Sequence, residues 1–406
     1  MPSQPPLGIG LLGAGFLAKT RARCYRALAG RAELVAVASR GFENAELFAE
    51  EQGVAHACRS VEELLARDDV QLVDLCVPND QHRPLCERAA AAGKHVVCTK
   101  PLTAYVGQDL PPDASDEAIS GRDRREMAVL ATVDARAMVE VCADEGVRLM
   151  YGENWIYAPS IRRAAGLLAR ANGTILDLRG GESHKGSHSP YSRRWRHTGG
   201  GALLRLGAHP LGAMLWLMRE EGLRRRGAPI LPVAVTADVA DPSRIASLDD
   251  EAATYVARGW VDVESWGTVI VEFDNGARGV AWGADTTLGG MESRLEIQAS
   301  NARFRCNLSP HDLLQAYTPH GDVLADTYLM EKLDGSAGWS TPLPDEDWSS
   351  GHLGMCADFV DCARSGRPPI ASGELGLDVV RVVYAAYVAA SEGRRVPLEE
   401  LDTWSL

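Results

Sequence analysis

Leu7-Gly8-Ile9-Gly10-Leu11-Leu12-Gly13-Ala14-Gly15-Phe16-Leu17-Ala18 couples a short apolar run to a G-x-G-x-x-A fingerprint. The run has the length and character of one buried strand, and the pattern over Leu17–Leu28 that follows is helical. The residue types fit a definite piece of chemistry. Gly13 permits a tight turn, Gly15 lets a pyrophosphate approach the backbone, and small Ala18 lets helix and strand pack closely. The first amides of the helix, around Phe16 and Leu17, then face the phosphates. The segment therefore predicts a dinucleotide-binding strand–turn–helix.

Working outward, apolar runs at Leu34–Ala38, Leu72–Val77 and His95–Cys98 read as further buried strands. Helical patterns around Ala45–Gln52, Val61–Ala66 and Pro84–Ala92 separate them. This alternation predicts a doubly wound parallel sheet with right-handed crossovers, a Rossmann α/β domain. Val106–Arg125 breaks the rhythm with Gly107, Pro111, Pro112 and Gly121, and reads as an inserted exposed loop. The pattern resumes with a helix at Ala131–Glu145, a strand at Arg148–Tyr151 and a helix at Pro159–Ala171. Beyond Gly173 the runs Thr174–Arg179, Val233–Val239, Gly267–Phe273, Ala277–Trp282, Leu295–Ala299 and Arg303–Asn307 read as strands. Asp274-Asn275-Gly276 is a hairpin signal between two of them. Helices are expected at Ala202–Arg219, Met355–Arg364 and Leu377–Ser391. The chain thus reads as a Rossmann domain over 1–172 and an α+β domain over 173–406 with a large open, mainly antiparallel sheet.

The 406 residues are 46% hydrophobic and 24% charged, with a formal net charge of -13. That composition suits a globular protein of two domains, and the charge argues against nucleic acid or an anionic membrane as the main partner. No apolar run has the length of a membrane span, and Met1–Pro6 shows no secretory pattern. The nine cysteines contain no C-x-x-C pair, and several sit in strand-like runs. Buried free thiols in a reducing cytoplasm are expected.

Three clusters carry candidate chemistry. At the end of the second strand stands Ala38-Ser39-Arg40, where an acidic residue would hold a ribose 2′-hydroxyl. A hydroxyl and a guanidinium suit a 2′-phosphate, which favours NADP; an Arg40 that is merely solvated, or stacks on adenine, would also admit NAD. Val77-Pro78-Asn79-Asp80-Gln81-His82 and Cys98-Thr99-Lys100-Pro101 lie at the carboxyl ends of predicted strands, where such sheets bind ligands. A lone lysine is usually a solvated one, but Lys100 stands between an apolar strand and a proline. Glu182–Arg196 is dense in polar groups and reads as a substrate loop, with Trp195 available to stack on a ring and Glu182 and His184 available for hydroxyls. A plain solvent loop is the competing reading. His184 and His188 are four apart, but Gly186 and Pro190 argue against a helix and no third ligand is evident, so no metal is expected. Asn154 ends a predicted strand on the same side.

Together the fingerprint, Val77-Pro78-Asn79 with His82, Lys100-Pro101, Gly199-Gly200-Gly201-Ala202-Leu203-Leu204 leading to His209, and the closing Ala386–Val396 stretch with Ser391, Gly393 and Arg394 resemble the glucose–fructose oxidoreductase/inositol dehydrogenase/MocA family. The resemblance extends over nearly the whole chain and is not specific to a substrate. It implies hydride exchange between NAD(P) and a secondary hydroxyl of a sugar, glycoside or cyclitol, catalytic roles for Lys100 and His209, and a cis peptide before Pro101. It also implies a sheet used in oligomerisation, so that a homodimer or homotetramer is expected. Gly13, Gly15, Phe16, Leu17, Ser39, Arg40, Pro78, Asn79, His82, Thr99, Lys100 and Pro101 are the expected cofactor contacts. Asn154, Glu182, His184, Trp195, Arg205 and His209 are the expected substrate contacts.

Two positions depart from the family pattern. Thr99 stands where a glutamate usually precedes the lysine, and Arg205 where an aspartate usually lies four residues before the histidine. Four residues return a helix to the same face, so Arg205 is expected beside His209. There it would depress the histidine pKa, bind an anionic or polar group of the substrate, or pair with Glu182. Two other activities fit the same residues. One is a redox glycosidase working by transient oxidation and elimination. The other is a non-catalytic nucleotide sensor, against which the retention of Lys100 and His209 speaks.

Overall fold

The computed structural model describes residues 5–187, 189–309, 316–318, 320, 337–340 and 345–405. The chain forms two compact units. The first comprises Met1–Ala104, Leu130–Tyr157 and Gly351–Val380; the second comprises Tyr105–Val129, Ala158–Ser350 and Arg381–Leu406. The boundary expected after residue 172 falls inside the second unit, and 351–380 groups with the N-terminal part of the chain.

In the first unit β1 (Leu7–Leu12), β2 (Ala32–Ala38), β3 (His56–Cys58), β4 (Leu72–Leu75), β5 (His95–Thr99) and β6 (Leu149–Gly152) form one sheet in the order β3-β2-β1-β4-β5-β6. Every pair in it is parallel. All six residues of β1 and all four of β4 are buried, as strands covered on both faces must be. The connections are α1 (Phe16–Ala27), α2 (Phe42–Gln52), α3 (Val61–Leu65) and α4 (His82–Ala91). The strand order reverses between β1 and β4, and the crevice outside that switch point lies next to the glycine fingerprint. The three-residue β3 carries too few apolar side chains to have been legible as a strand.

The segment expected as an inserted loop contains α5 (Asp116–Ser120), capped by the Ser115 side chain, and the start of α6 (Arg124–Asp144). Most of it is exposed. The second unit adds α7 (Pro159–Ala171), α8 (Trp195–Thr198) and α9 (Ala208–Arg226) to a seven-stranded sheet. Its strands are β7 (Ile175–Ser183), β8 (Pro232–Ala240), β9 (Trp266–Phe273), β10 (Arg278–Ala284), β11 (Glu292–Ala299) and β12 (Arg303–Asn307), with β13 and β14 (Ala316–Thr318 and Gly338–Ser340) paired apart as a ribbon and β15 (Val396–Pro397) at the sheet edge. The order is β12-β11-β7-β10-β9-β8-β15, antiparallel except for β7 with β10. Alternation along β9 buries Val269, Val271 and Phe273 and leaves Ile270 outward, the mark of a sheet covered on one face. Near the C-terminus, α10 (Glu346–Ser349) precedes α11 (His352–Ser365) and α12 (Gly373–Glu392).

A buried charge cluster fastens α1 to the first sheet. Asp74 lies fully buried within β4, accepts a hydrogen bond from the Tyr25 hydroxyl at 2.7 Å, and faces Arg21 Nε at 3.4 Å. Burial pushes the Asp74 carboxyl up, and the guanidinium and phenol hold it down. Removing one partner strands the other in a low-dielectric core. Arg21→Met should cost about 3–5 kcal/mol in chemical denaturation. Combining it with Asp74→Leu should recover much of that loss, whereas an unaltered Arg21→Met transition would contradict the pairing.

Candidate active site

The glycine fingerprint forms the turn that its residues predict. Gly13 adopts φ +110°, and a Cβ there would meet the Cys76 carbonyl oxygen at 2.2 Å, so only glycine fits. Gly15 caps α1 without any side-chain hydrogen bond, and a Cβ on it would meet no atom within 4 Å. Its α1 amides thus open onto free space beside the backbone, which fits a bound pyrophosphate. Phe16 is 65% exposed at the same turn, and Leu17 half-buried. A cavity of about 330 Å³ adjoins the turn, lined by Gly15, Ser39, Asn44 and Phe48 among others. Arg40 is exposed and makes no ion pair among the described residues. Lys19 Nζ engages Glu51 at 2.6 Å, compensating the acid on the rim of the cavity. A larger crevice of about 670 Å³, lined by Pro6, Gly8, Glu33 and Gln71, sits at the amino ends of the strands, away from the fingerprint.

Farther along the sheet, Pro78 is exposed and Asn79 begins a 3-10 turn. His82 corrects the sequence expectation. It is fully buried, with Nδ1 3.1 Å from both the Pro101 and the Leu102 carbonyls and Nε2 3.1 Å from the Val77 carbonyl. Burial holds its pKa below the usual histidine range. The one ring N–H of neutral His82 donates to one of these loop carbonyls, and full burial keeps the ring from a cofactor. The Lys100–Pro101 peptide is cis.

Lys100 has a partner that the sequence reading passed over. In the parallel pairing of β5 with β6, Thr99 is level with Gly152, so Lys100 and Glu153 leave the sheet as neighbours. Glu153 is fully buried and accepts the Trp155 backbone N–H at 3.0 Å. Loss of solvent pushes its carboxyl up to about 8, against the pull of the Lys100 charge. Tyr151, also fully buried, has its phenol raised by desolvation and by the Glu153 charge. Asn154 is buried in the 3-10 turn that follows. A carboxylate placed directly after a strand, level with Lys100, was the signal available in the sequence.

In the second unit His209 is the second residue of α9, entered through a π-helical turn, Leu203–Gly207. Such turns are rare and concentrate at functional sites. The triple glycine has a packing reason: a Cβ on Gly201 would lie 2.0 Å from the Glu264 carbonyl oxygen. The buried Glu264 carboxylate accepts the Gly201 N–H at 2.9 Å, the Leu203 N–H at 3.0 Å and the Tyr387 hydroxyl at 2.8 Å. No local motif announces this cap, because Glu264 is distant in sequence from the helix it starts. His209 Nε2 stands 4.0 Å from Glu182 Oε1, whose other oxygen accepts the Ser293 hydroxyl at 3.2 Å.

Arg205 pairs with Asp285. Its guanidinium lies over the Trp260 ring at 5.0 Å. His184 is buried at the end of β7, while His188 lies outside the described residues. Trp195 is a correction: it is 2% exposed, flanked by Arg124 at 4.4 Å and Tyr387 at 5.1 Å, and its indole N–H donates to the Tyr105 carbonyl at 3.0 Å. With its ring already covered it is a core anchor and not a stacking platform.

The fold and the fingerprint define a Rossmann-type dinucleotide-binding protein. Residues 7–110 match the GFO_IDH_MocA family model, described as an oxidoreductase family with an NAD-binding Rossmann fold, and 181–398 match that family's C-terminal alpha/beta domain. The chain belongs to this oxidoreductase family, and its first unit carries an NAD(P)-binding Rossmann domain. It is 24% identical to D-apiose dehydrogenase of Paraburkholderia graminis, covering 97% of this chain and 90% of the relative. It is 25% identical to D-xylose 1-dehydrogenase (NADP(+)) 2 of Haloferax volcanii, over 90% and 92%. The crystal structure of GenD2 from gentamicin A biosynthesis, in complex with NAD, superposes with a TM-score of 0.76 at 24% identity, covering 98% of this chain and 97% of that one. No helix among the described residues is long and apolar enough to cross a membrane.

The raised Glu153 carboxyl has a signed consequence. The folded state holds this proton more tightly than the unfolded one, so the stabilisation it brings is full below the ordinary carboxylate range and is lost as pH rises through about 8. Glu153→Gln should therefore flatten the stability–pH curve across that window, measured by urea denaturation. An unchanged slope would contradict the assignment.

Proposed function

We propose that this oxidoreductase exchanges a hydride between NADP and a secondary hydroxyl of a sugar, glycoside or cyclitol. The observation that carries the reading is the strand-end pairing of Lys100 with buried Glu153, on the same sheet as the open fingerprint. The nicotinamide ring, when bound, supplies the hydride acceptor or donor; the protein supplies orientation and proton handling.

The α1 amides with Gly13, Gly15, Phe16 and Leu17 hold the pyrophosphate in this reading, and Pro78, Asn79, Thr99 and Pro101 line the way to the nicotinamide. Ser39 and the exposed Arg40 take the 2′-phosphate, which favours NADP over NAD while leaving NAD usable. The names of the relatives support both a sugar substrate and either cofactor.

In oxidation, unprotonated Lys100 takes the hydroxyl proton as the C–H bond gives up its hydride, and Glu153 faces the resulting ammonium. His209 is the second proposed proton handler, oriented by Glu182. Asn154, His184 and Glu182 contribute hydroxyl contacts. The nine free cysteines, eight of them buried, fit a cytoplasmic location. A homodimer or homotetramer would cover the outward sheet face of the second unit, where Ile270 and Leu176 are 42% and 53% exposed.

Lys100→Ala or His209→Ala should each lower turnover on the order of 10²–10⁴-fold while cofactor binding survives. Near-normal turnover in His209→Ala would remove that residue from the mechanism. Glu153→Gln takes a carboxylate away from the ammonium, so the rising limb of the oxidation pH–rate profile should move to lower pH. A limb that stays in place or moves up would exclude the role given to Glu153. Arg40→Ala should weaken NADP binding about tenfold or more with little effect on NAD, read by fluorescence titration. Equal changes for both would leave Arg40 outside the cofactor site.

A further inference from the structure

The charges around the fingerprint cavity in the first unit bear on how the two cofactors are told apart. Lys19 is the fourth residue of α1, and its backbone N–H donates to the Gly15 carbonyl at 3.1 Å. A helical side chain leans back over the preceding turn, so the Lys19 stem lies on the fingerprint side of its own Cα. Gly15, one turn back, has no side chain, and a Cβ there would meet no atom within 4 Å, which leaves that direction open to an ammonium. Lys19 and Glu51 are the charged residues among those that line the cavity of about 330 Å³, with Ser39 and Asn44 as its neutral polar groups.

Glu51 is not placed there by the needs of its own helix. It stands in the last turn of α2, where the helix dipole disfavours a carboxylate, and that turn holds no basic residue. Its compensation comes from α1, where Lys19 Nζ lies 2.6 Å from Glu51 Oε2. The two side chains are 45% and 40% exposed. An ion pair so open to water is weak and gives up its partner readily. A phosphate monoester carries a charge of about −1.5 to −2 near pH 7, which makes it a stronger partner for an ammonium than one carboxylate.

We infer that Lys19 is a second cation for the 2′-phosphate of NADP, and that Glu51 tunes the preference between NADP and NAD by competing for it. When NADP enters, the ammonium moves from the Glu51 carboxylate to the phosphate, and the carboxylate returns to water at the cavity rim. NAD brings only a 2′-hydroxyl, which cannot draw the ammonium away, so the pair stays closed while NAD binds. Lys19 thus acts from α1, whereas Ser39 and Arg40 act from the end of β2. The inference rests on the NADP reading above and names two further residues that set the preference.

The test uses the intact protein and fluorescence titration with NADPH and NADH. Both positions are roughly half exposed, so the fold tolerates either replacement. Lys19→Gln should weaken NADPH about tenfold with little change for NADH. Glu51→Gln releases the ammonium and should tighten NADPH about three- to fivefold, again with little change for NADH. In a Lys19→Gln background that gain should fall to less than about half, because the released group is gone. Glu50→Gln removes the same charge one residue earlier, at a position that does not line the cavity, and should leave the ratio of the two affinities unchanged. The inference is overturned by a Lys19→Gln protein that keeps the wild-type ratio, or by a Glu51→Gln gain that persists in full without Lys19. A Glu50→Gln effect as large as that of Glu51→Gln overturns it as well. A wild type that binds NADH and rejects NADPH would contradict the NADP reading by itself. Glu51→Gln that then admits NADPH would still support the exchange, and Glu51→Gln that does not would overturn it too.

Discussion

An ionised side chain taken out of water must meet an opposite charge or several hydrogen-bond donors, and in both units the chemistry-bearing residues are arranged around that requirement. Lys100 faces Glu153, Arg205 faces Asp285, and the Glu264 carboxylate is met by two helix amides and a phenol. In the first unit Arg21 and Tyr25 do the same for Asp74. The parallel pairing of β5 with β6 sets Lys100 level with Glu153 at the strand ends, whereas Arg205 meets Asp285, at the end of β10, from the π-helical turn. A shift of one residue in the β5/β6 register would move Glu153 away from Lys100. Register and electrostatics thus constrain each other, and the proposed proton chemistry depends on both.

The same constraint accounts for the two departures from the family pattern. Thr99 has no carboxyl group to set next to Lys100, and Glu153 brings one from the adjacent strand, its titration pushed up to about 8 by burial. Arg205 replaces an expected aspartate with the opposite charge, and Asp285 neutralises it from the end of β10. In both places the charge is compensated by a residue remote in sequence. This is why a residue-by-residue reading of motifs left the mechanism open at these positions.

What was legible in the sequence follows from what is local. Strands β1, β4 and β5 were readable because buried parallel strands are nearly continuous apolar runs. The fingerprint was readable because Gly13 and Gly15 answer to a turn a few residues long. The Asp274-Asn275-Gly276 hairpin and the one-sided burial of β9 followed from turn chemistry and alternation. Tertiary packing decided the remainder. Trp195 looked like a sugar platform because it lies among polar residues, yet Arg124, Tyr387 and the Tyr105 carbonyl enclose it from distant segments. His82 looked like a cofactor ligand, yet three carbonyl oxygens surround its ring. The π-helical turn before His209 had no signal in periodicity, since it depends on the Glu264 cap and on the close approach allowed by Gly201.

The central claim is that a hydride passes between a sugar carbon and the nicotinamide. Incubating the protein with NADP and perdeuterated D-glucose or perdeuterated myo-inositol, then examining the reduced nucleotide by mass spectrometry and NMR, tests it most directly. A single deuterium at C4 of the nicotinamide, matched by an equal amount of oxidised sugar, is the predicted result. Reduced nucleotide without the label, or oxidised sugar with none of its deuterium on the nicotinamide, would contradict the account.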